Sequence, residues 1–353
     1  MNSLIKDWTS QVFDAAETGR KLSIRGGGSK LFYGGAEQGE VLDVSVNHGI
    51  VAYEPTELVV TVRAGTLLTA LESTLAERGQ CLSFEPPHFG AGATVGGMLA
   101  AGLSGPRRPA VGAVRDFVLG VKMLSGKGEL LSFGGQVMKN VAGYDVPRLM
   151  AGSMGTLGVL LEVSLKVLPL PVAEATLRFA MSQAEAIEQL NLWGGKPLPI
   201  SASAWSDGVL TLRLSGAAAA VATAQQKLGG EVLPDAAAFW SSLREQTHGF
   251  FAGDAPLWRL SVASVTPPQG LGSTLIEWGG ALRWLRGGDP SAIRSAAEKA
   301  GGHATLFRAD AALKSSVGVF QPLSAPLARI HRNLKNAFDP QGVFNPGRMY
   351  PDF

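Results

Sequence analysis

The sequence predicts an α+β fold with two domains, and three observations lead to that prediction. The chain has 353 residues, which is more than a single hydrophobic core usually holds. Its first half separates apolar stretches of strand and helix length by glycine clusters, at Gly96-Gly97 and at residues 102–105 and 152–158. Its second half alternates pairs of short strands with single alanine-rich helices, which is typical of an α+β layer.

A pair of prolines sets the expected domain boundary. Pro169 and Pro171 end the last strand of the first half, because proline has no N–H group to donate to a sheet. We therefore predict a first domain over residues 1–171, a smaller C-terminal α+β cap domain over residues 172–337, and a tail over residues 338–353.

Local signals predict the elements of the first domain in order. Apolar spacing favours a helix at residues 4–17. A second helix is expected to begin after Thr66, which suits an N-cap, and to end near Arg78, before Gly79. Ser125-Gly126-Lys127-Gly128 predicts a hairpin turn. Strands are expected at residues 22–25, 41–44, 49–54, 58–62, 117–124, 129–133 and 157–167.

The clearest of these strands covers residues 157–167. Every odd position in it is apolar, whereas Glu162, Ser164 and Lys166 occupy even positions. This period of two predicts a strand with one buried face. In the second half, strands are expected at residues 175–181, 201–205, 209–214, 257–263, 281–285 and 304–307, and helices at residues 217–228, 290–300 and 327–338.

Composition excludes several classes of function. The chain has 31 basic and 29 acidic residues and a net charge of +2, and no basic stretch is interleaved with aromatic residues, so nucleic acid is not an expected partner. Its one cysteine, Cys81, can form neither an internal disulfide nor a cysteine-based metal or iron–sulfur site, and we expect it in the core. No apolar stretch has the length of a transmembrane helix. We therefore expect a cytoplasmic protein without a metal site.

The glycine clusters favour a long, phosphate-bearing ligand. Glycine lets backbone N–H groups approach a ligand closely, and a fourth cluster lies in Arg25-Gly26-Gly27-Gly28-Ser29-Lys30. The order Gly28-Ser29-Lys30 does not fit the P-loop of nucleoside triphosphatases, and residues 26–28 lack the spacing of the Rossmann fingerprint. A dinucleotide would therefore be held by a different scaffold.

Several motifs resemble the FAD-binding domain of the vanillyl-alcohol oxidase / p-cresol methylhydroxylase (PCMH-type) flavoprotein superfamily. The likeness lies in residues 25–29, 92–97 and 152–159 and, in the tail, in residues 338–348. Within this superfamily, the segments at residues 86–90, 104–109 and 302–308 are most similar to the FAD-binding subunits of bacterial glycolate oxidases, also called glycolate dehydrogenases.

The resemblance implies a PCMH-type domain of two α+β subdomains, with non-covalent FAD extended between them. Residues 26–29 would present N–H groups to the pyrophosphate, residues 94–97 would cover pyrophosphate and ribose at a helix start, and residues 152–159 would line the adenine and ribitol. The tail is expected to return to this domain. The residues expected to bind the cofactor are Arg25, Gly26, Gly27, Gly28, Ser29, Lys30, Pro87, Gly92, Thr94, Gly96, Gly97, Gly102, Ser104, Gly105, Gly152, Ser153, Thr156, Gly158, Val159 and Asn345.

The resemblance also implies the oxidation of a small 2-hydroxy acid, glycolate to glyoxylate. Such a reaction needs a cation for the carboxylate, for which arginine is suited, and a base for the hydroxyl proton, for which histidine is suited. The sequence leaves the catalytic residues open. The candidates are His88, His303, Arg308 and Arg348.

One departure from the family bears on activity. Relatives that oxidise 2-hydroxy acids carry a histidine-rich segment in a longer cap, whereas this chain has only Gly302-His303-Ala304-Thr305. The resemblance then implies one flavoprotein subunit of a larger complex, with a catalytic FAD subunit and an iron–sulfur subunit as partners, through which the complex would reach the inner membrane. Two alternatives stay open: a scaffold subunit without its own turnover, and a stand-alone FAD-dependent D-lactate or other 2-hydroxy acid dehydrogenase.

Overall fold

The computed structural model describes residues 2–135 and 144–353, and their helices and strands confirm the α+β class. The helices are α1 (Asn2–Thr18), α2 (Leu68–Ala76), α3 (Val95–Ala101), α4 (Arg108–Val111), α5 (Val146–Met150), α6 (Gln183–Gly194), α7 (Ala218–Leu228), α8 (Ala236–Arg244), α9 (Pro290–Lys299), α10 (Ala311–Val317) and α11 (Ala325–Phe338). The strands are β1 (Leu22–Arg25), β2 (Glu40–Asp43), β3 (Ile50–Glu54), β4 (Val59–Arg63), β5 (Gln80–Cys81), β6 (Val118–Leu124), β7 (Leu130–Gly134), β8 (Val159–Lys166), β9 (Leu168–Pro169), β10 (Ala173–Ala180), β11 (Ile200–Ser206), β12 (Val209–Gly216), β13 (Glu231–Val232), β14 (Leu257–Ser261), β15 (Thr274–Glu277), β16 (Leu282–Arg286) and β17 (His303–Arg308).

The first half contains an antiparallel sheet with the strand order β3-β4-β8-β6-β7. Helices α2 and α3 contribute apolar side chains to the core of this sheet. A separate parallel pair, β1 and β2, packs with α1 and with the end of the chain around a second apolar cluster. The predicted hairpin is confirmed by the pairing of β6 with β7.

The prediction that strand β8 has a single buried face is wrong. Seven of its eight residues are buried, including Glu162 and Ser164, which are 7% and 9% exposed. β8 is the central strand, so its polar side chains pair sideways with neighbouring strands. Glu162 Oε2 lies 2.7 Å from Lys122 Nζ, and Ser164 Oγ lies 2.8 Å from Thr61 Oγ1. A period of two therefore marks the strand but not the exposure of its second face.

Two local predictions in the first half are also corrected. Helix α2 begins at Leu68 and has Leu67 as its N-cap, not Thr66. The Thr66 hydroxyl instead accepts a hydrogen bond from the Gly49 N–H at 2.9 Å and closes the loop before β3. Cys81 is half-buried in β5 rather than in the core, with its Sγ 3.2 Å from Ser83 Oγ.

The second half is built on one antiparallel sheet with the strand order β13-β10-β12-β11-β15-β16-β14-β17. Helices α6, α7 and α9 pack on one face of this sheet. Strand β15 was not expected from the sequence. The other face packs against the first half through a mixed apolar cluster, to which Tyr33 and Met154 contribute from the first half and Trp284 and Phe307 from the sheet.

A partly buried ionic network also joins the two halves. Glu85 Oε1 in the first half lies 2.8 Å from Arg213 Nη2 on β12, and Arg107 pairs with Glu174 on β10. The Arg213 guanidinium also stacks on Trp240, 5.0 Å from its ring centre. The two halves are therefore held in one arrangement by apolar and charged contacts.

The tail returns to the first half beside β1. The Leu22 N–H donates to the Val343 carbonyl at 2.8 Å, and the Asn345 N–H donates to the Leu22 carbonyl at 2.9 Å. These bonds give β1 a parallel neighbour at Phe344. No helix within residues 2–135 and 144–353 is both long and apolar enough to span a bilayer.

Candidate functional site

A cleft of about 580 Å³ opens in the first half where β1 runs into the loop at residues 26–30. Helix α3 and the tail form its other walls. The lining residues are Ser23, Ile24, Arg25, Gly26, Gly27, Gly28, Ser29, Lys30, Leu31, Glu37, Thr94, Gly97, Ala100, Ala101, Met154, Asn345 and Arg348. The structure therefore gathers the predicted loop at residues 25–30, the helix start at Thr94 and the tail residue Asn345 around one space.

Glycine is needed in this loop because two backbones touch. A Cβ atom on Gly27 would overlap the carbonyl oxygen of Gly92, and a Cβ atom on Gly92 would lie 2.9 Å from the Gly27 carbonyl oxygen. Gly28 adopts a φ of +72°, a conformation that favours glycine. Thr94 is the N-cap of α3 and accepts a hydrogen bond from the Gly97 N–H at 3.2 Å. The loop and the helix start are therefore fixed against each other.

The loop offers hydrogen-bond donors that the protein does not use. Within the described residues, the N–H groups of Gly26, Gly27, Gly28 and Ser29 donate to no protein acceptor. These residues line the cleft and are partly exposed in it, Gly27 most of all, so their N–H groups are open to a ligand. A series of free donors in a glycine loop is suited to a phosphate group. The cleft therefore fits the diphosphate of a dinucleotide.

Lys30 brings a cation to the same cleft. Its Nζ donates to the His88 carbonyl at 3.1 Å, and no carboxylate of the described residues lies within 4 Å of it. Burial lowers the pKa of Lys30 to about 8, although the more distant charge of Glu245 opposes the shift. An anion bound in the cleft would favour the charged ammonium group and raise that pKa.

This pKa predicts how FAD binding depends on pH. In the free protein, Lys30 loses its charge as the pH rises through about 8. Because a charged Lys30 would bind a diphosphate in this cleft more tightly, FAD affinity should fall above pH 8, by up to about tenfold per pH unit. Lys30→Met should bind FAD more weakly at pH 7 and lack this component. Equilibrium dialysis between pH 7 and 10 measures both effects, with the exposed Lys127→Met as the matched control. Equal pH profiles for Lys30→Met and the wild type would contradict the role of Lys30.

Arg25 lines the cleft but is paired within the protein. Its Nη2 lies 2.9 Å from Glu37 Oε2, and Ser23 Oγ donates to Glu37 Oε1 at 2.8 Å. Burial acts to raise the pKa of Glu37, but the hydrogen bonds from Ser23 and Arg25 outweigh it and hold the pKa below its usual value. Arg25 is therefore held at the end of β1 by its ion pair with Glu37.

Asn345 connects three segments at the floor of the cleft. Its Oδ1 accepts from the Ile24 N–H at 2.7 Å, and its Nδ2 donates to the Met154 carbonyl at 2.7 Å. A Cβ atom on Gly155 would lie 2.5 Å from this Nδ2 atom. The tail, β1 and the loop at residues 152–158 therefore depend on one buried side chain.

The remaining predicted cofactor residues lie outside this cleft. Pro87, Ser104 and Gly105 line a second cavity between the two halves. Gly92 supports the loop from behind, as described above. The others pack against backbone or core atoms around the cleft: Gly96 against Ala64, Gly102 against Gly152, Gly158 against β6, Ser153 and Thr156 in the buried turn before β8, and Val159 in the core under α1.

The four catalytic candidates each have their own contacts, and only Arg348 lines the cleft. His88 Nε2 lies 3.1 Å from Glu72 Oε2 on α2, and His303 is exposed at the start of β17. Arg308 stacks on Phe32, with its guanidinium carbon 4.4 Å from the ring centre. The Arg348 guanidinium donates to the carbonyls of Leu31, Tyr33 and Gly35 and supports the loop that lines the cleft.

Sequence reasoning missed several lining residues. Met154 lies inside the predicted loop at residues 152–158, so that loop could have identified it. Ala101 lies one helical turn after Gly97 on α3, so helical spacing could have identified it. Ser23 and Glu37 gave no signal, because their roles depend on the pairing of β1 with β2. Arg259 and Glu277, which line the second cavity, also gave none.

Comparisons with known proteins agree with this geometry. Residues 7–134 match the family described as FAD binding domain. The chain is 51% identical over 344 residues to the glycolate oxidase subunit GlcE of Escherichia coli (strain K12), covering 97% of this chain and 96% of that protein. It is 30% identical over 167 residues to the glycolate oxidase subunit GlcD of Bacillus subtilis (strain 168), covering 47% of this chain and 35% of that protein. A solved structure of alkyldihydroxyacetonephosphate synthase is 16% identical, with a TM-score of 0.65 over 96% of this chain and 73% of that chain, and it shows a shared fold alone.

Fold and cleft together define an FAD-binding flavoprotein of the PCMH type, and FAD is its cofactor. The chain belongs to the family of glycolate oxidase FAD-binding subunits, whose member GlcE it matches along nearly its whole length. The resemblance drawn from the glycine loops and the tail is thereby confirmed.

Proposed function

We propose that this chain is the FAD-binding subunit of a glycolate dehydrogenase complex that oxidises glycolate to glyoxylate. One observation supports this most: a chain similar throughout to a glycolate oxidase subunit keeps an intact anion-binding loop, with free N–H groups at residues 26–29 and the half-buried cation Lys30. A subunit that used the FAD fold only as a scaffold would have no need for these unpaired donors.

In this proposal different residues of the cleft bind different parts of the cofactor. Residues 26–29 and Lys30 hold the diphosphate, and Thr94 and Gly97 cover it from α3. Asn345 keeps the loop at residues 152–158 in place beside the adenosine side. The bound flavin supplies a two-electron acceptor. Binding is non-covalent, because Cys81 forms a contact with Ser83 in β5 and His88 with Glu72, and neither lines the cleft.

The partners follow from what this chain lacks in its sequence. It has no histidine-rich segment and one cysteine, so we assign the principal catalytic site to a second FAD subunit and the iron–sulfur centre to a third. The relatives named as subunits support an assembly of several chains. We expect the complex in the cytoplasm, reaching the membrane through a partner.

Co-purification tests this assignment. The chain, tagged and expressed with its genomic neighbours, should retain yellow flavin that acid precipitation releases, and should bring down a second flavoprotein and an iron–sulfur protein. Anaerobic dye reduction with glycolate should be low for the chain alone and high for the assembly. Full glycolate or D-lactate activity from the isolated chain would favour the stand-alone dehydrogenase. An active assembly unchanged by removal of this chain's flavin would favour the scaffold.

A further inference from the structure

A further pocket lies on the large sheet beside α8 and is formed by the second half of the chain alone. Its polar and aromatic lining residues come from β10, β12, β13, α8 and the turn after α8, and include Arg178, Thr211, Glu231, Phe239 and His248. The described residues that line it all lie between positions 178 and 275, whereas the cofactor cleft is formed by the first half and the tail. This sheet pocket is therefore separate from the cleft and from the cavity between the two halves.

Arg178 is a cation without an anion in the sheet pocket. Its buried Nε–H group has no hydrogen-bond acceptor in the part of the chain that the structure describes, and no carboxylate there lies within 4 Å of its guanidinium group. The guanidinium carbon lies 6.0 Å from the ring centre of Phe239. The charged fork of an arginine is suited to the oxygen atoms of a phosphate or carboxylate group.

Thr211 gives an independent sign of a missing ligand. It lies directly opposite Arg178 in the pairing of β10 with β12 and lines the same pocket. The residue is only 3% exposed, yet its hydroxyl group forms no hydrogen bond within residues 2–135 and 144–353. A buried hydroxyl group normally has a partner, and leaving it without one costs free energy that a ligand oxygen would recover.

His248 adds a third donor. Its Nδ1 accepts from the Phe250 N–H at 3.2 Å, so the proton of the neutral ring lies on Nε2. Burial lowers the pKa of His248, although the charge of Asp207 opposes the shift, and the ring is therefore neutral at pH 7. The ring packs edge-on against Phe239 with 5.8 Å between ring centres, so His248 and Arg178 lie against the same aromatic side chain.

We propose that the sheet pocket binds the phosphate group of a small organic ligand. Arg178 supplies the positive charge and several N–H groups, and the Thr211 hydroxyl and His248 Nε2–H each donate one further hydrogen bond. These donors come from two strands and a turn, which suits the three terminal oxygens of a tetrahedral phosphate better than the two of a planar carboxylate. Phe239 and Leu275 line the pocket beside them and offer an apolar wall to the rest of the ligand.

Glu231 is the acidic residue of the pocket and opposes an anion. It lies opposite Arg178 in the pairing of β10 with β13, but the two side chains are more than 4 Å apart. Strand β10 separates β13 from β12, so this carboxylate belongs to the strand two positions away from Thr211. We expect the phosphate on the Thr211 side of Arg178. Asp207, the other nearby carboxylate, accepts from Ser206 Oγ at 2.9 Å and does not line the pocket.

Titration of phenyl phosphate into the full chain with its bound FAD tests the site, because the cofactor then occupies the cleft that could also take phosphate. Calorimetry should show saturable binding of phenyl phosphate, weaker binding of inorganic phosphate and weaker binding still of acetate. Arg178→Met should raise the Kd for phenyl phosphate at least about tenfold, and the isosteric Thr211→Val should raise it about five- to tenfold. Glu231→Gln should lower the Kd, because it removes the opposing charge.

The controls separate the sheet pocket from general effects of charge and folding. Arg286→Met changes an arginine on β16 that does not line the pocket, and it should bind phenyl phosphate as the wild type does. Circular dichroism and flavin content establish whether each variant is folded. Should Arg178→Met fold poorly, Arg178→Lys takes its place and should bind with an intermediate Kd, because it keeps the charge but loses the fork.

Three results would overturn the proposal. The first is a folded, FAD-loaded protein without saturable binding of phenyl phosphate, or with equal Kd values for the wild type, the Arg178 variant and Thr211→Val. The second is equal affinity for acetate and inorganic phosphate, which would contradict a phosphate site. The third is weaker binding by Glu231→Gln, which would mean that the ligand presents a cation rather than an anion to this end of the pocket.

Discussion

Gly27→Val is expected to abolish flavin binding. The first atom of any side chain at this position would overlap the Gly92 carbonyl oxygen, so the two loops would have to separate. Their separation would displace the free N–H groups of residues 26–29 from the cleft. The positive φ in this loop belongs to Gly28, so the penalty at Gly27 comes from the overlap alone. Flavin content per chain, measured by absorbance after purification, should fall to background.

A second glycine provides the control. Gly194 lies at the end of α6, and a Cβ atom there would meet no atom within 4 Å. Gly194→Val should keep its flavin. Circular dichroism establishes whether each variant is folded. A folded Gly27→Val protein with the wild-type flavin content would show that this loop does not hold the diphosphate.

Lys335→Met should destabilise the protein by about 3–5 kcal/mol, because it leaves a buried carboxylate without its cation. Lys335 Nζ on α11 donates to Asp339 Oδ2 at 2.7 Å and to the carbonyls of Thr156 and Phe344, both at 2.8 Å. Asp339 is 1% exposed. The lysine thus ties the tail to the turn before β8, and its loss should also loosen the flavin. Urea unfolding of the protein with and without added FAD measures both consequences.

Arg332→Met is the matched variant for this experiment. Arg332 is exposed on the same helix, so its removal should change the free energy of unfolding by less than about 0.5 kcal/mol. Asp339→Asn and the double variant complete a cycle that isolates the pair. A loss below about 1 kcal/mol for Lys335→Met would mean that the tail is held by its backbone bonds.

Local sequence signals predicted most elements because short-range chemistry determines them. The β-branched stretch at residues 58–62 and the alternation at residues 157–167 gave β4 and β8, and Pro290 gave the start of α9. Burial of the second face of β8 was not predictable, because it depends on partners far along the chain. Strand β15 was missed for a similar reason: its four residues pair on both sides with strands of a sheet that sequence reasoning could not assemble.

The candidate site likewise contains some residues that the sequence identified and others that it did not. Glycine loops carry a local signature, so Gly27 and Thr94 were found from the sequence. Ser23 and Glu37 carry none, because their place in the cleft depends on the pairing of β1 with β2. The histidines were chosen for their chemistry alone, and in the structure His88 lies against Glu72 whereas His303 is exposed at the start of β17. Residue type indicates what a side chain can do, but only geometry shows which groups are left unpaired.

The most direct test of the central claim is an experimental structure of this chain with FAD. We expect the diphosphate oxygens within about 3.2 Å of the N–H groups of residues 26–29, with Lys30 Nζ turned toward them from the His88 carbonyl. The adenosine should lie beside the segment held by Asn345. A diphosphate bound elsewhere, with these N–H groups in contact with water, would contradict the assignment of the cleft.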